Sequence, residues 1–492
     1  MTMTRLVPQR RGLALLSAVL LSACTVGPDF HRPVTVAPER WGDEAADIRS
    51  TTYAGAVDSR WWDSFHDPEL SRLVDRLGKQ NLDLQAAAER VIQGRSQIAV
   101  AISQGLPHID YEGQYTRTRQ SPKGFISLVT PAPGAPYEYD LFRNALTASW
   151  ELDLFGRVRR SVEAARAGTE AAIEARHQIA LVAISDLAQS YLQLRGAQAL
   201  EAIARDNLGL AHRNLELVRT QFANGVSTTL DVANAQAQEA RIASTLPGYK
   251  TAEDALINAI GLELAQPPRA LEAELSVPAA LPLAPPRVPV GLPAQLARRR
   301  PDIRQAEAQL HEATAATGVA VASFYPDVTL NGSFGPEGLR FQDAFSLPSR
   351  AAAVGPTIDL PLFQGGRLRG TLRLRKSQQR EAAISYQRTV LAAWNDVDNA
   401  LTAYAQAQKQ REDAADVVKQ TDTALDAARQ QYQQGAVDFL NVISAQAALL
   451  SAQSTLADAD TRITTDLVAL YRALGGGWEG FDQPQERPVA AR

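Results

Sequence analysis

Apolar residues recur along most of this chain at spacings of three and four, and at spacings of two in a few short runs. Period three-four is the mark of amphipathic helices, and period two of half-covered strands. The helical pattern is longest from Arg157 to Phe222, where there is no proline and Gly168, Gly196 and Gly209 are the glycines that interrupt it. It recurs from Thr371 to Gln434, without proline or glycine. About 65 residues at ~1.5 Å rise gives roughly 100 Å, far more than an ordinary globular helix. Toward their ends both segments take the 3-4-3-4 spacing of a coiled-coil seam, as Leu208, Ala211, Leu215, Val218, Phe222 and as Val418, Thr421, Leu425, Ala428, Tyr432.

A duplicated turn follows each seam. Gln221 to Gln236 and Gln431 to Gln446 correspond at a constant offset of 210 residues. Gly225 and Gly435 supply the left-handed backbone that stops a helix, and Ser227, Thr228 or Asp438 can cap the next one. Each copy therefore predicts a tight turn between antiparallel helices, and the repeat predicts two copies of one unit. The helix after the first turn is predicted to run to about Leu262, and another helical pattern covers Pro68 to Gln104 with a break near Gly78.

The period-two runs are Ile109 to Thr116, Leu146 to Leu154, Val328 to Phe334 and Val354 to Leu362. Each has about ten residues, an apolar face and a polar face, and Asp110, Glu112, Glu151, Asp153 and Asp359 lie on the polar side. That length and alternation match membrane β-barrel strands, with these acids facing a lumen. A half-buried soluble sheet has the same alternation. Four strands cannot close a barrel, and an open sheet edge is not tolerated in lipid, so in the membrane reading the strands join those of other copies. Two copies would leave little lumen; three would give twelve strands and a pore. Acidic lumen faces favour cations.

Proline and glycine divide the rest. Ser121 to Tyr139 and Gly335 to Arg350 read as exposed loops, and residues 265–299 as an extended proline-rich linker. Trp61, Trp62 and Phe65 read as the anchor of an N-terminal arm, and the tail after Trp478 as disordered. The boundaries are then 1–23 for a leader, 24–67 for the arm, 68–264 and 300–477 for the two units, and 478–492 for the tail.

Composition narrows the function. Net charge is −4 and no basic patch stands out, which argues against nucleic acid. No apolar run reaches the ~18 residues of a spanning helix. The six histidines, His31, His66, His108, His177, His212 and His311, show no metal-ligand spacing, and there is no nucleophile motif or phosphate loop. No catalytic residue, metal or cofactor is expected; Glu151 and Asp153 could form an acid–base pair but fit a lumen lining better. The single cysteine, Cys24, follows Arg5, Arg10, Arg11 and the apolar stretch Leu13 to Leu21. This is a secretory leader, and Leu21-Ser-Ala-Cys24 resembles the lipobox of bacterial lipoproteins. That resemblance implies cleavage before Cys24 and its acylation; Thr25 in place of Asp favours the outer membrane.

In sequence order, Gly27-Pro-Asp-Phe-His-Arg-Pro33, Trp61-Trp62 with Asp67-Pro68, Gly225, Gly291-Leu-Pro293, Arg299-Arg-Pro-Asp-Ile303, Gly435 and Ala473-Leu-Gly-Gly-Gly-Trp478 resemble TolC-like outer membrane factors. The branch is the lipoproteins that serve resistance-nodulation-division efflux pumps. The resemblance covers nearly the whole mature chain. It implies an α+β membrane protein, a homotrimer with a twelve-stranded β-barrel continued by an α-helical barrel. It implies a passive duct through outer-membrane lipid, opened when a periplasmic adaptor docks and driven by an inner-membrane pump. The docking turns map onto Asn224, Gly225, Val226 and Ser227, and onto Gln434, Gly435, Ala436 and Val437. The gate maps onto Tyr432 and Asp231, while the gate arginine falls at Val437 and the acidic ring at Asn441 and Ser444. Closure is then expected to rest on coiled-coil packing and on Tyr432 hydrogen bonding. A type I secretion duct is the runner-up, and a structural coiled-coil adhesin or adaptor the alternative outside the channel class.

Overall fold

A computed structural model describes residues 25–34, 41, 51–53, 55–121 and 138–481. Cys24 with its leader, most of the predicted loop Ser121 to Tyr139, and the tail beyond Phe481 lie outside the described residues. In chain order the elements are β1 (Thr51–Tyr53), α1 (Pro68–Gln80), α2 (Leu82–Ser103), β2 (His108–Arg119), β3 (Glu138–Leu152), α3 (Arg157–Ala223), α4 (Thr229–Ala243) and α5 (Leu246–Glu263). Then come α6 (Glu272–Leu275), β4 (Arg287–Pro289), α7 (Pro293–Arg299), α8 (Pro301–Ala322), β5 (Asp327–Gly338), β6 (Arg350–Asp359), α9 (Arg367–Gln433) and α10 (Phe439–Leu474). The two long helices have 67 residues each. Their bounds differ by the 210-residue offset of the turns.

The described chain divides into two compact units. One gathers residues through Pro33, Ile92–Ala171 and Glu307–Ser385. It contains a four-stranded sheet in the order β2-β3-β5-β6. All three pairings are antiparallel, so the two predicted hairpins fuse through β3 and β5 into one sheet. The arm also docks here. Arg160 donates to Asp29 at 2.6 Å, and Gly27, at φ +97°, lies so close to Gly318 that a Cβ would sit 2.6 Å from its Cα.

The other unit takes Val34–Val91, Ala172–Ala306 and Tyr386–Arg492 and holds the main apolar core. Trp61 and Trp62 are buried, Trp61 stacks on Tyr471 at 5.0 Å, and its indole donates to the Gly476 carbonyl at 3.1 Å. Gly477, at φ +113°, leaves room for that ring: a Cβ there would meet Trp61 Nε1 at 2.7 Å. The Arg299-Arg300-Pro-Asp run clamps the end of α10. Arg300 is buried, pairs with Asp302 and Asp396, and donates to the Ala473 carbonyl at 3.0 Å, while Arg299 donates to the Val57 carbonyl. A buried guanidinium needs these acceptors because desolvation alone would be prohibitive.

Several expectations change. The break between α1 and α2 falls at Asn81, not Gly78: Asn81 ends α1, its side chain accepts from Leu84 N and donates to the Glu263 carbonyl. Gly78 stays helical, with Phe481 packed where its Cβ would be. The helix after the first turn is broken at Ser244–Thr245, where Pro247 enters the first turn of α5. The proline-rich segment is more than a linker. It carries α6, β4 and α7, buries Leu275, Val288 and Leu296, and pairs β4 with β1. The tail begins packed: Trp478 is buried and stacks on His177 at 4.2 Å. Gly335–Gly338 belong to β5, and two 3-10 turns, Phe341–Phe345 and Leu347–Ser349, occupy the rest of that predicted loop.

Trp61→Ala removes a buried ring, with an expected cost of about 3–5 kcal/mol for such truncations. The detergent-solubilised variant should melt several degrees below the parent, while Trp61→Phe loses much less. Equal melting of all three would show that this packing does not hold the arm.

Candidate functional site

Two places carry the predicted residues, the sheet in one unit and the helical tips in the other.

In the sheet, register fixes the faces. Asp110 pairs with Thr147, Thr147 with Ser333 and Ser333 with Ala353. Glu151 pairs with Thr329 and Thr329 with Thr357, so these residues share one polar face. Glu112, opposite Ala145, lies on the same face, and so does Asp359, opposite Asp327. The other face carries Ile109, Tyr111, Leu146, Trp150, Phe334, Val354 and Ile358, all exposed. Both outer edges, on β2 and β6, have no strand beside them among the described residues. No described helix is long and apolar enough to cross a membrane, and no described cluster of His, Cys, Asp and Glu could hold a metal.

The acidic residues are not equivalent. Asp153 lies one residue past β3, where alternation no longer applies. Its carboxylate accepts from the Val158 and Arg159 amides and pairs with Arg159, so it caps the start of α3. Glu151 pairs with Arg157. Asp110 and Glu112 are exposed. Asp327, the first residue of β5 after Pro326, stands on the same face one residue before the alternating run that begins at Val328.

Each tip is a Schellman turn. At the first, Val226 N donates to the Gln221 carbonyl at 2.9 Å and Gly225 N to Phe222 at 3.0 Å, with Gly225 at φ +72°. At the second, Ala436 N donates to Gln431 at 2.9 Å and Gly435 N to Tyr432 at 3.0 Å, with Gly435 at φ +71°. Nothing lies within 4 Å of either added Cβ, so glycine serves the backbone angle rather than packing. Asn224 and Gln434 occupy the turns, and Ser227 and Val437 lead into α4 and α10.

The caps differ. Thr228 Oγ1 accepts from Asp231 N while Asp231 accepts from Thr228 N at 2.9 Å and from Ser227 Oγ at 3.0 Å, a complete capping box. At the second tip Asp438 takes the N-cap position without a side-chain cap bond, and Asn441 donates weakly to the Asp438 carbonyl at 3.4 Å. The seam is built as predicted around Leu215, Val218 and Leu425. Phe222 is an exception, because it is exposed. Its counterpart Tyr432 packs against Phe439 at 5.2 Å and donates to Gln221 Oε1 at 2.5 Å, joining the two hairpins. Burial, aided by the nearby Asp231 charge, pushes the Tyr432 phenol up and keeps it a neutral donor. Gln221, the other half of this bond, carries no signal in sequence.

For Asp231, burial pushes the carboxyl up, but the hydrogen bonds from Thr228 and Ser227 outweigh it and hold the group below its usual value. The folded state therefore prefers the charged form. The cap's contribution is complete above the unfolded aspartate pKa of about 3.9 and is lost as pH falls through the lowered folded value. Asp231→Ala should cost about 1 kcal/mol locally, seen as about fivefold faster amide exchange at residues 226–232 at neutral pH. The difference from the parent should vanish only under strongly acidic conditions. A difference already gone at pH 6 would contradict the cap.

Residues 73–262 and 292–476 match the family described as outer membrane efflux protein. Nodulation protein T of Rhizobium leguminosarum bv. viciae is 32% identical over 465 residues, covering 94% of this chain and 93% of its own length. Outer membrane protein OprJ of Pseudomonas aeruginosa is 30% identical over 474 residues, 95% of each chain. The solved outer-membrane channel OprN superposes with a TM-score of 0.85 at 33% identity, over 92% of this chain and 100% of that one.

Proposed function

The chain belongs to the outer membrane efflux protein family, and we propose that three copies join their sheets edge to edge into a twelve-stranded barrel that forms a passive exit duct. The observation that carries this reading is the sheet itself: one face polar, the other apolar and exposed, and, among the described residues, no strand beside either outer edge. Asp110, Glu112, Glu151 and Asp359 then line the lumen. The long helices continue the duct as an α-barrel, and 68–264 and 300–477 form its two halves. Cys24, once acylated, anchors the arm of residues 24–67 in outer-membrane lipid. The family description, outer membrane efflux protein, supports an efflux role, with small molecules as cargo and a periplasmic adaptor and an inner-membrane resistance-nodulation-division pump as partners. The adaptor meets the two turns, where Val226 stands exposed. Tyr432, Asp231 and Asn441 form the gate region.

Cysteines scanned along the outer edges of β2 and β6 test closure. Oxidation should yield covalent trimers as the largest closed species, and the same preparation should conduct across a planar bilayer. Ladders that stop at dimers, or trimers that never conduct, would sink the reading.

The gate has its own test. The Tyr432 bond to Gln221 holds two hairpins together, and one such bond contributes about 0.5–1.5 kcal/mol. Tyr432→Phe keeps the contact with Phe439 but loses the bond. Its open probability should rise about two- to tenfold, and unchanged conductance would remove Tyr432 from the gate.

A further inference from the structure

The connection from β5 to β6, residues 339–349, is poorly explained as a solvent loop. Its two 3-10 turns fold back over the sheet. The face they cover is the apolar one. Asn144, which shares that face with Tyr111 and accepts from its hydroxyl at 3.1 Å, donates to the Ala344 carbonyl at 2.9 Å. Phe341 packs edge-on against Phe142 at 5.7 Å, and Ala344 is buried. The segment is thus pinned at its middle to the face that the barrel reading turns toward lipid.

Its own large side chains nevertheless stay mostly exposed. Leu339 is 61% exposed, Phe341 67%, Phe345 66% and Leu347 72%. A water-facing loop would place polar groups there. These four instead extend the apolar face of the sheet outward, at the strand ends remote from the helices. Aromatic and aliphatic groups at such a level suit a membrane interface. Arg340 and Arg350 flank the patch and are exposed; Arg350 donates to the Leu347 carbonyl, which holds its guanidinium beside the apolar cluster. A cationic pair against an apolar patch complements a lipid with a phosphate headgroup and several acyl chains.

We propose that residues 339–350 form a lipid-binding flap: Phe341, Phe345 and Leu347 lie among acyl chains at the outer boundary of the membrane, while Arg340 and Arg350 hold the phosphates of an anionic glycolipid of the outer leaflet. The flap rests on the barrel reading, because it needs the apolar face of the sheet to meet lipid.

A nitroxide at Phe345→Cys, with others at Phe334→Cys and Ser149→Cys, separates the two. The parent, whose only cysteine is Cys24, provides the blank. The trimer is placed in vesicles of outer-membrane lipid containing lipopolysaccharide. Label 334 should be reached by oxygen rather than by a nickel chelate, and label 149 the reverse; failure of that pattern overturns the barrel reading itself. With that pattern in place, oxygen access at 345 resembling that at 334 supports the flap. Nickel access at 345 places the segment in water, and loss of both places it under protein of another copy; either result overturns the flap. Arg340→Gln combined with Arg350→Gln should cut co-purifying lipopolysaccharide severalfold without changing phosphatidylethanolamine. Equal loss of both lipids, or no loss, overturns the phosphate contact.

Discussion

The sheet has two unsatisfied demands that pull against each other. Its exposed apolar face carries Ile109, Tyr111, Leu146, Phe334, Val354 and Ile358, each with about 1.5–3 kcal/mol to gain by leaving water. Its outer edges, along β2 and β6, carry rows of backbone groups that water satisfies and lipid does not. Each unpaired group in hydrocarbon costs several kcal/mol, so one chain cannot move its face into lipid without losing more at its edges. In the proposed barrel, closure through identical copies meets both demands, because one copy's β2 edge would pair with the next copy's β6 edge. The fused sheet makes this economical. Since β3 pairs with β5 inside the chain, only one seam per copy has to form between chains.

The two long helices and the turns that end them match in length and backbone and differ in side chains. Both long helices have the same length, and both end in the same Schellman turn with glycine near φ +70°. The surfaces built on that shared frame differ. The first tip has the capping box of Thr228 and Asp231, and the second has Asp438 without a side-chain bond. Phe222 is exposed where Tyr432 is half-buried and bonded across to Gln221. Two tips of unequal stability and unequal chemistry alternate when copies are arranged in a ring. A helical partner docking on such a ring meets two kinds of turn.

Periodicity carried most of the fold. The long helices, the turns at Gly225 and Gly435, and all four sheet strands follow from spacing and glycine placement, because those features act within a few residues. What stayed hidden depends on contacts distant in sequence. Gly78 looked like a break because its packing partner, Phe481, lies some 400 residues on. The proline-rich stretch looked bare because Val288 is buried only through the pairing of β4 with β1. Phe222 fits the heptad rhythm, but its side chain is exposed, whereas its counterpart Tyr432 packs into the apolar cluster beside Phe439. Asp153 fitted the strand rhythm, but the strand stops at Leu152 and the carboxylate serves the helix that follows.

The acidic strand ends bear on which side of the sheet meets water. Glu151 and Asp153 are neutralised by Arg157 and Arg159, so they add little net charge to the polar face. Asp327 and Asp359 differ, because they stand directly opposite each other on adjacent strands and both are exposed. Two like charges about 4–5 Å apart repel by roughly 1 kcal/mol in bulk water, and several times more where the effective dielectric is low. Pairs directly opposite each other in a sheet are therefore disfavoured wherever the face is covered. A face lining a water-filled lumen tolerates both and gains from them a local attraction for cations at the base of the strands. On the same polar face Asp110 and Glu112 are exposed as well, so the acidic charge is carried by β2 as well as by β5 and β6.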